Sequence, residues 1–164
     1  MNKVWTRLKS GQYQFRINDQ VAGELKLNTS SLDVRGDETL GQKTYTIRQT
    51  GFWRGVTEMR DAHDLPVARI KAEKWYSSSY RLEYRGHPYK LVLRNSPHLE
   101  WAIQDQDRTL LAYGLAVEKN KSTVQIRSDV ASVDPELDAL LWYQLLPTVM
   151  EDMGDTFSFL VLAT

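Results

Sequence analysis

The chain has 164 residues, 41% hydrophobic and 26% charged, the make-up of one globular domain with room for a sizeable core. Its 21 Lys and Arg balance its 21 Asp and Glu, so the whole chain exerts no net pull on nucleic acid, and no nucleic-acid partner is expected. The absence of Cys excludes disulfides, thiol nucleophiles and thiolate metal sites, and agrees with a reducing compartment.

The first residues, "MNKVWTRLKSGQYQF", lack the continuous apolar run of a signal peptide. No stretch reaches the roughly 18 apolar residues of a spanning helix. The expectation is a soluble cytoplasmic protein with no transmembrane segment. Residues 13–17, "YQFRI", alternate, with Tyr13, Phe15 and Ile17 on one side. "NDQVAGELKL" turns and resumes the alternation at Leu25 and Leu27. Asn28 to Gln42 is polar and turn-rich and reads as a long loop. "TYTIRQ" sets Tyr45 and Ile47 on one face. "YRLEYR" sets Tyr80, Leu82 and Tyr84 against Arg81, Glu83 and Arg85. After the "GHP" turn, "YKLVLR" returns with Tyr89, Leu91 and Leu93 inward. "LEWAIQD", "LLAYGLAVE" and "STVQIRS" continue the pattern. Five Trp and eight Tyr suit such strands, because flat rings pack well on a pleated surface. Strands about ten residues apart predict an antiparallel barrel or sandwich. No Pro/Gly linker divides the chain, so residues 1–164 form one domain.

The texture then changes. "DPELDALLWYQLLPTVMEDMG" opens with Asp134 as N-cap, Pro135 at the first helical position, and Glu136 and Asp138 in the first turn. Its middle, from Ala139 to Leu146, is apolar nearly all round, which demands burial. Ala139 to Met150 would reach only about 18 Å, too short for a hydrocarbon core of roughly 30 Å, so the burial is in protein. Pro147 should kink or end this helix, and Gly154 is a plausible stop. "TFSFLVLA" reads as a last buried strand or a second short helix.

Two segments repeat one another. "MRDAHDLPVARI" and "IQDQDRTLLAYG" align Asp61 with Asp105, Val67 with Leu111 and Ala68 with Ala112. "FRINDQVAGELKL", with Asn18, Asp19 and Ala22, is a shortened third copy. The Asp can accept bonds from backbone N–H groups two residues on and so hold a tight turn, which makes the unit a hairpin device. Many short strands, this repeat and one apolar helix near the C-terminus together resemble the tubby C-terminal-like superfamily, with its LURP-one-related and phospholipid-scramblase branches. The resemblance implies a closed antiparallel β-barrel of about twelve short strands enclosing the hydrophobic helix. It also implies a non-enzymatic binding or adaptor module. Leu65 and Thr109 stand near the place where the family's unit carries Gly. Lipocalin-like barrels and two-sheet sandwiches remain open.

No catalytic constellation stands out. His63, His87 and His98 fall in turns, and three such residues would have to converge to hold zinc. Ser77, Ser78 and Ser79 lack a nucleophile elbow. No phosphate loop or dinucleotide fingerprint is present, so neither a cofactor nor a metal is expected. Trp53 and Trp101 read as core or barrel-wall packing.

The best candidate is a basic block. Arg81 and Arg85 share one strand's polar face, Lys90 and Arg94 the next, and Arg69 and Lys71 lie on a neighbour, with Trp75, Tyr76 and Tyr80 beside them. Clustered cations beside aromatics suit an anionic lipid headgroup or a protein surface, which would place the protein at the membrane periphery. A merely solvated face is the plain alternative. The acidic end, Asp134, Glu136, Asp138, Glu151, Asp152 and Asp155, is the alternative partner for this block within the fold. Two further readings stand beside the adaptor. One is a small-molecule carrier with an open, aromatic-lined lumen and the helix outside. The other is a hydrolase using His63, Asp61 or Asp105.

Overall fold

In a computed structural model the protein is described over residues 2–36, 41–51, 55–74, 78–95, 98–118, 121–130, 132–153 and 161–163. The strands are β1 (Lys3–Lys9), β2 (Gln12–Ile17), β3 (Gln20–Lys26), β4 (Ser31–Arg35), β5 (Gln42–Thr50) and β6 (Val56–Arg60). They continue as β7 (Pro66–Ala72), β8 (Ser79–Tyr84), β9 (His87–Arg94), β10 (Glu100–Asp105), β11 (Arg108–Glu118) and β12 (Lys121–Arg127). A helix, α1 (Pro135–Met153), and a short β13 (Val161–Ala163) follow. Each of β1 to β11 pairs antiparallel with the next, a meander of twelve strands. β13 runs parallel to β12 and lies against β1, so the sheet curls into a nearly closed barrel.

Alternation decides which side chains enter the lumen. Tyr13 faces Leu25, Leu25 faces Leu32 and Leu32 faces Tyr45 across successive strands. Leu91, Ile103 and Leu111 continue the lining on the far side. All are buried. The helix fills the space between. Leu137, Ala139, Leu140, Leu141, Trp142, Leu145 and Leu146 are buried although they point in every direction around the helix. Trp142 stacks on Trp5 of β1 at 5.0 Å and meets Tyr13 of β2 edge-on at 5.8 Å. Gln144 donates to Thr57 of β6 at 2.8 Å, and the Tyr45 hydroxyl of β5 donates to Glu136 at 2.8 Å. One helix touching strands from around the wall is a helix inside it.

Charged groups go in with the apolar ones, Asp138 deepest. Asp138 is wholly buried, and its two oxygens accept from Lys3 Nζ at 3.0 and 3.1 Å. The Tyr113 hydroxyl also donates to Asp138 at 2.7 Å, and itself accepts from Trp5 Nε1 at 3.0 Å. Burial pushes the Asp138 carboxyl up to about 6, against the opposing pull of Lys3 and Tyr113. A buried pair of this kind is weak evidence of added stability, whereas removing one partner leaves an uncompensated buried charge.

The repeat is a bulged hairpin. Met59 faces Ala68 and Arg60 faces Pro66, which leaves Val67 extra. Ile103 faces Leu111 and Gln104 faces Thr109, which leaves Leu110 extra. Phe15 faces Gly23 and Arg16 faces Val21, which leaves Ala22 extra. A bulge at the same place in all three copies bends the returning strand and adds twist, which a small barrel needs. Asp61 does hold its turn, accepting from the N–H groups of His63 at 2.9 Å and Leu65 at 3.0 Å. Pairing shifts the sequence alignment by one: Ala68 corresponds to Leu111, because the β6–β7 connection is one residue longer. At the equivalent Gly23, a Cβ would stand 2.9 Å from the Asp33 carbonyl oxygen, so the adjacent strand leaves no room for a side chain.

Three expectations are corrected. The stretch 28–42 is not one loop, because Leu32 and Val34 alternate with polar neighbours and form β4. Pro147 does not end α1. It is exposed where the helix leaves the lumen, and a proline there removes one helix hydrogen bond without ending the helix. Of the "GHP" turn only Gly86 belongs to the reversal; Arg85 (φ 49°) and Gly86 (φ 80°) make a two-residue loop, and His87 and Pro88 already belong to β9. Trp101 is buried wall packing as expected, whereas Trp53 and Gly154 lie outside the described residues. Of the "TFSFLVLA" segment, Val161–Ala163 is a strand.

Replacing Trp142 by Ala should cost about 3–5 kcal/mol in denaturant unfolding, the scale for deleting a buried aromatic; a loss under about 1 kcal/mol would show that the helix is not held in the lumen. Asp138 binds its proton more readily folded than unfolded, so its contribution is fully present below about pH 4 and is lost as pH rises through about 6. The stability difference between the native chain and Asp138→Asn should therefore change between pH 4 and 7, and parallel unfolding profiles across that range would rule this out.

Candidate functional site

The six cations of the basic block do not form one patch. Arg69 and Lys71 alternate outward along β7, because Val67, Ala68 and Ile70 occupy buried positions around them. Arg81 projects outward from β8, and Lys90 and Arg94 from β9. Pairing then sets the rows. Lys71 lies directly opposite Arg81, and Arg81 directly opposite Lys90. Three cations thus stand side by side across three strands spaced about 4.8 Å apart. Like charges facing one another weaken a sheet. Among the described residues Lys71 and Lys90 have no ion-pair partner. Arg81 has Glu83 at 3.4 Å, both well exposed.

The other three are engaged elsewhere. Arg69 faces Glu83 across the sheet and pairs with Glu58 at 3.7 Å, and Glu58 also meets Arg60 at 3.3 Å. Arg94 pairs with Glu100 at 3.1 Å, which also takes Arg127 at 2.8 Å. Arg85 is not on the polar face of β8 at all. Its turn places it at the barrel mouth, where Nε donates to the Tyr84 hydroxyl at 3.0 Å and Nη2 to the Tyr45 hydroxyl at 3.2 Å. Glu136 lies 3.6 Å from the same guanidinium. Arg85 is the one member of the basic block that meets the acidic C-terminal segment among the described residues.

That mouth is a second polar assembly, built over the start of α1. The Tyr84 hydroxyl donates to Asp134 at 2.7 Å. Burial, with the Glu136 bond, pushes Tyr45 up to about 12, and burial raises Tyr84 further. Both phenols therefore stay protonated donors. A cavity of about 420 Å³ opens beside them, lined by Val34, Arg35, Lys43, Arg85, Asp134 and Glu136 among others. A second cavity of about 430 Å³ lies where α1 emerges, against Leu27, Tyr143 and Leu146.

The turn histidines stay apart. His63 and His98 are exposed, and His87 sits 3.7 Å from Asp105 and packs at a tilt against the Tyr89 ring at 4.5 Å. Among the described residues no group of three or more His, Asp or Glu is placed to hold a metal ion. Ser79 belongs to β8, while Ser77, Trp75 and Tyr76 lie outside the described residues. No helix among them is long and apolar enough to cross a membrane.

Two features escaped the sequence. Lys3 and Lys43 precede Trp5 and Tyr45 by two residues, which places both on lumen-facing positions at strand ends; the alternation carried that signal, but a lysine reads as a surface residue. No family model, curated protein or solved structure matches the chain.

Proposed function

We propose that the chain is a non-catalytic binding module of the tubby-like kind, and that the outer face of β7 to β9 docks on an anionic phospholipid surface. The observation that supports this is the row Lys71, Arg81, Lys90. Folding alone gains nothing from three facing cations, and an anionic surface would relieve their repulsion. The lumen supports it indirectly, since α1 occupies the space where a carrier would hold its cargo. The protein would then work from the cytoplasmic side as a peripheral membrane component.

Each cation near an anionic leaflet adds about 1 kcal/mol. Three add about 3 kcal/mol, on the order of a hundredfold in partitioning. Flotation with vesicles containing phosphatidylserine or phosphoinositides should show binding that fades as salt shortens the screening length. The combined Lys71→Ala, Arg81→Ala and Lys90→Ala variant should lose about a hundredfold, whereas Arg85→Ala should lose little. Equal binding to neutral vesicles, or unchanged binding by the triple variant, would reject the proposal.

A further inference from the structure

Lys43 stands on the face of β5 that Tyr45 and Ile47 turn toward the lumen, one step beyond the last buried residue. Its strand partner is Val34, buried and inward-facing on β4. An inward position at a barrel rim sends a side chain over the mouth, and Lys43 lines the cavity there. Arg35, the last residue of β4, lines the same cavity, and so does Arg85 from the β8–β9 turn. Two of these cations come from the paired strands β4 and β5 and the third from the β8–β9 turn, and all three residues line one opening.

The carboxylates that line that opening have partners of their own. Glu136 is nearly buried, accepts from Tyr45 and lies beside Arg85. Asp134 accepts from Tyr84. Among the described residues Arg35 and Lys43 have no ion-pair partner, although two carboxylates line the same cavity. Arg85 spends Nε and Nη2 on tyrosines, and a guanidinium has a further edge of N–H donors. The arrangement is a held arginine beside two cations that have no ion-pair partner among the described residues, around a space of about 420 Å³. That falls in the size range of small-molecule sites, roughly 300–1,000 Å³.

We propose that the mouth of the barrel, formed by Arg35, Lys43 and Arg85, is a binding site for a small molecule carrying a phosphate group. The two rim cations would meet phosphate oxygens by charge-assisted bonds, and Arg85, fixed by the phenols, would set the orientation. The site is separate from the outer row on β7 to β9 and does not depend on it.

The test is calorimetric titration of the full chain with inorganic phosphate and with glycerol 3-phosphate, alongside flotation with vesicles containing phosphatidic acid. Saturable binding of glycerol 3-phosphate is expected. Lys43→Gln and Arg35→Gln, both at exposed positions, should each weaken it about tenfold with the melting temperature unchanged. The outer triple variant should bind it like the native chain. Capture by vesicles alone, with no saturable heat from either soluble phosphate, would overturn the proposal. So would equal affinity in the two rim variants, or loss of binding in the outer triple variant.

Discussion

A barrel of this width must be filled, and the filling here is a helix of the same chain. Eight strands enclose a space that their own side chains can occupy, whereas wider barrels leave a lumen. Trp142 occupies this lumen between Trp5, Tyr13 and Tyr113. Every other feature is subordinate to that fit. The strands alternate because one face must meet the helix, and the helix lacks a polar side because from Glu136 to Leu146 every residue is buried or partly buried.

The lumen is not purely apolar, and its polar members do a separate job. Apolar packing tolerates rotation and sliding of a smooth rod, because dispersion is undirected. The Lys3–Asp138 pair and the Tyr113 hydroxyl are directional, so they admit one rotation and one depth. The Tyr45, Tyr84 and Arg85 assembly does the same at the helix start. With the rod fixed, the mouth has a defined floor, and the cations around it have defined separations. The outer row on β7 to β9 is fixed differently, by strand register alone.

Much of this was written in the sequence. Alternation in 80–85 and 89–94 revealed inward and outward faces, and the run Ala139 to Leu146 revealed a buried helix. The repeat around Asp61 and Asp105 pointed to hairpins, and the pairing supplies the bulge that no composition rule could display, since a bulge is a relation between two strands. β4 was hidden because two apolar residues among polar ones fall below any periodicity signal. Arg85 was misplaced because a two-residue turn ends the alternation one residue earlier than the pattern suggests. The outer row needed cross-strand register, and the mouth needed closure of the barrel, so neither was legible from spacing along the chain.

The Lys3–Asp138 contact joins residues 135 apart. During synthesis the twelve-strand wall emerges before the rod that belongs inside it, and β13, which lies between β12 and β1, emerges later still. A nascent sheet with its greasy face uncovered is a liability for aggregation, and distant pairings form slowly. Assembly is thus vectorial in a demanding sense: the ribosome must release the chain past Asp138 before Lys3 of β1 can find its partner in the interior.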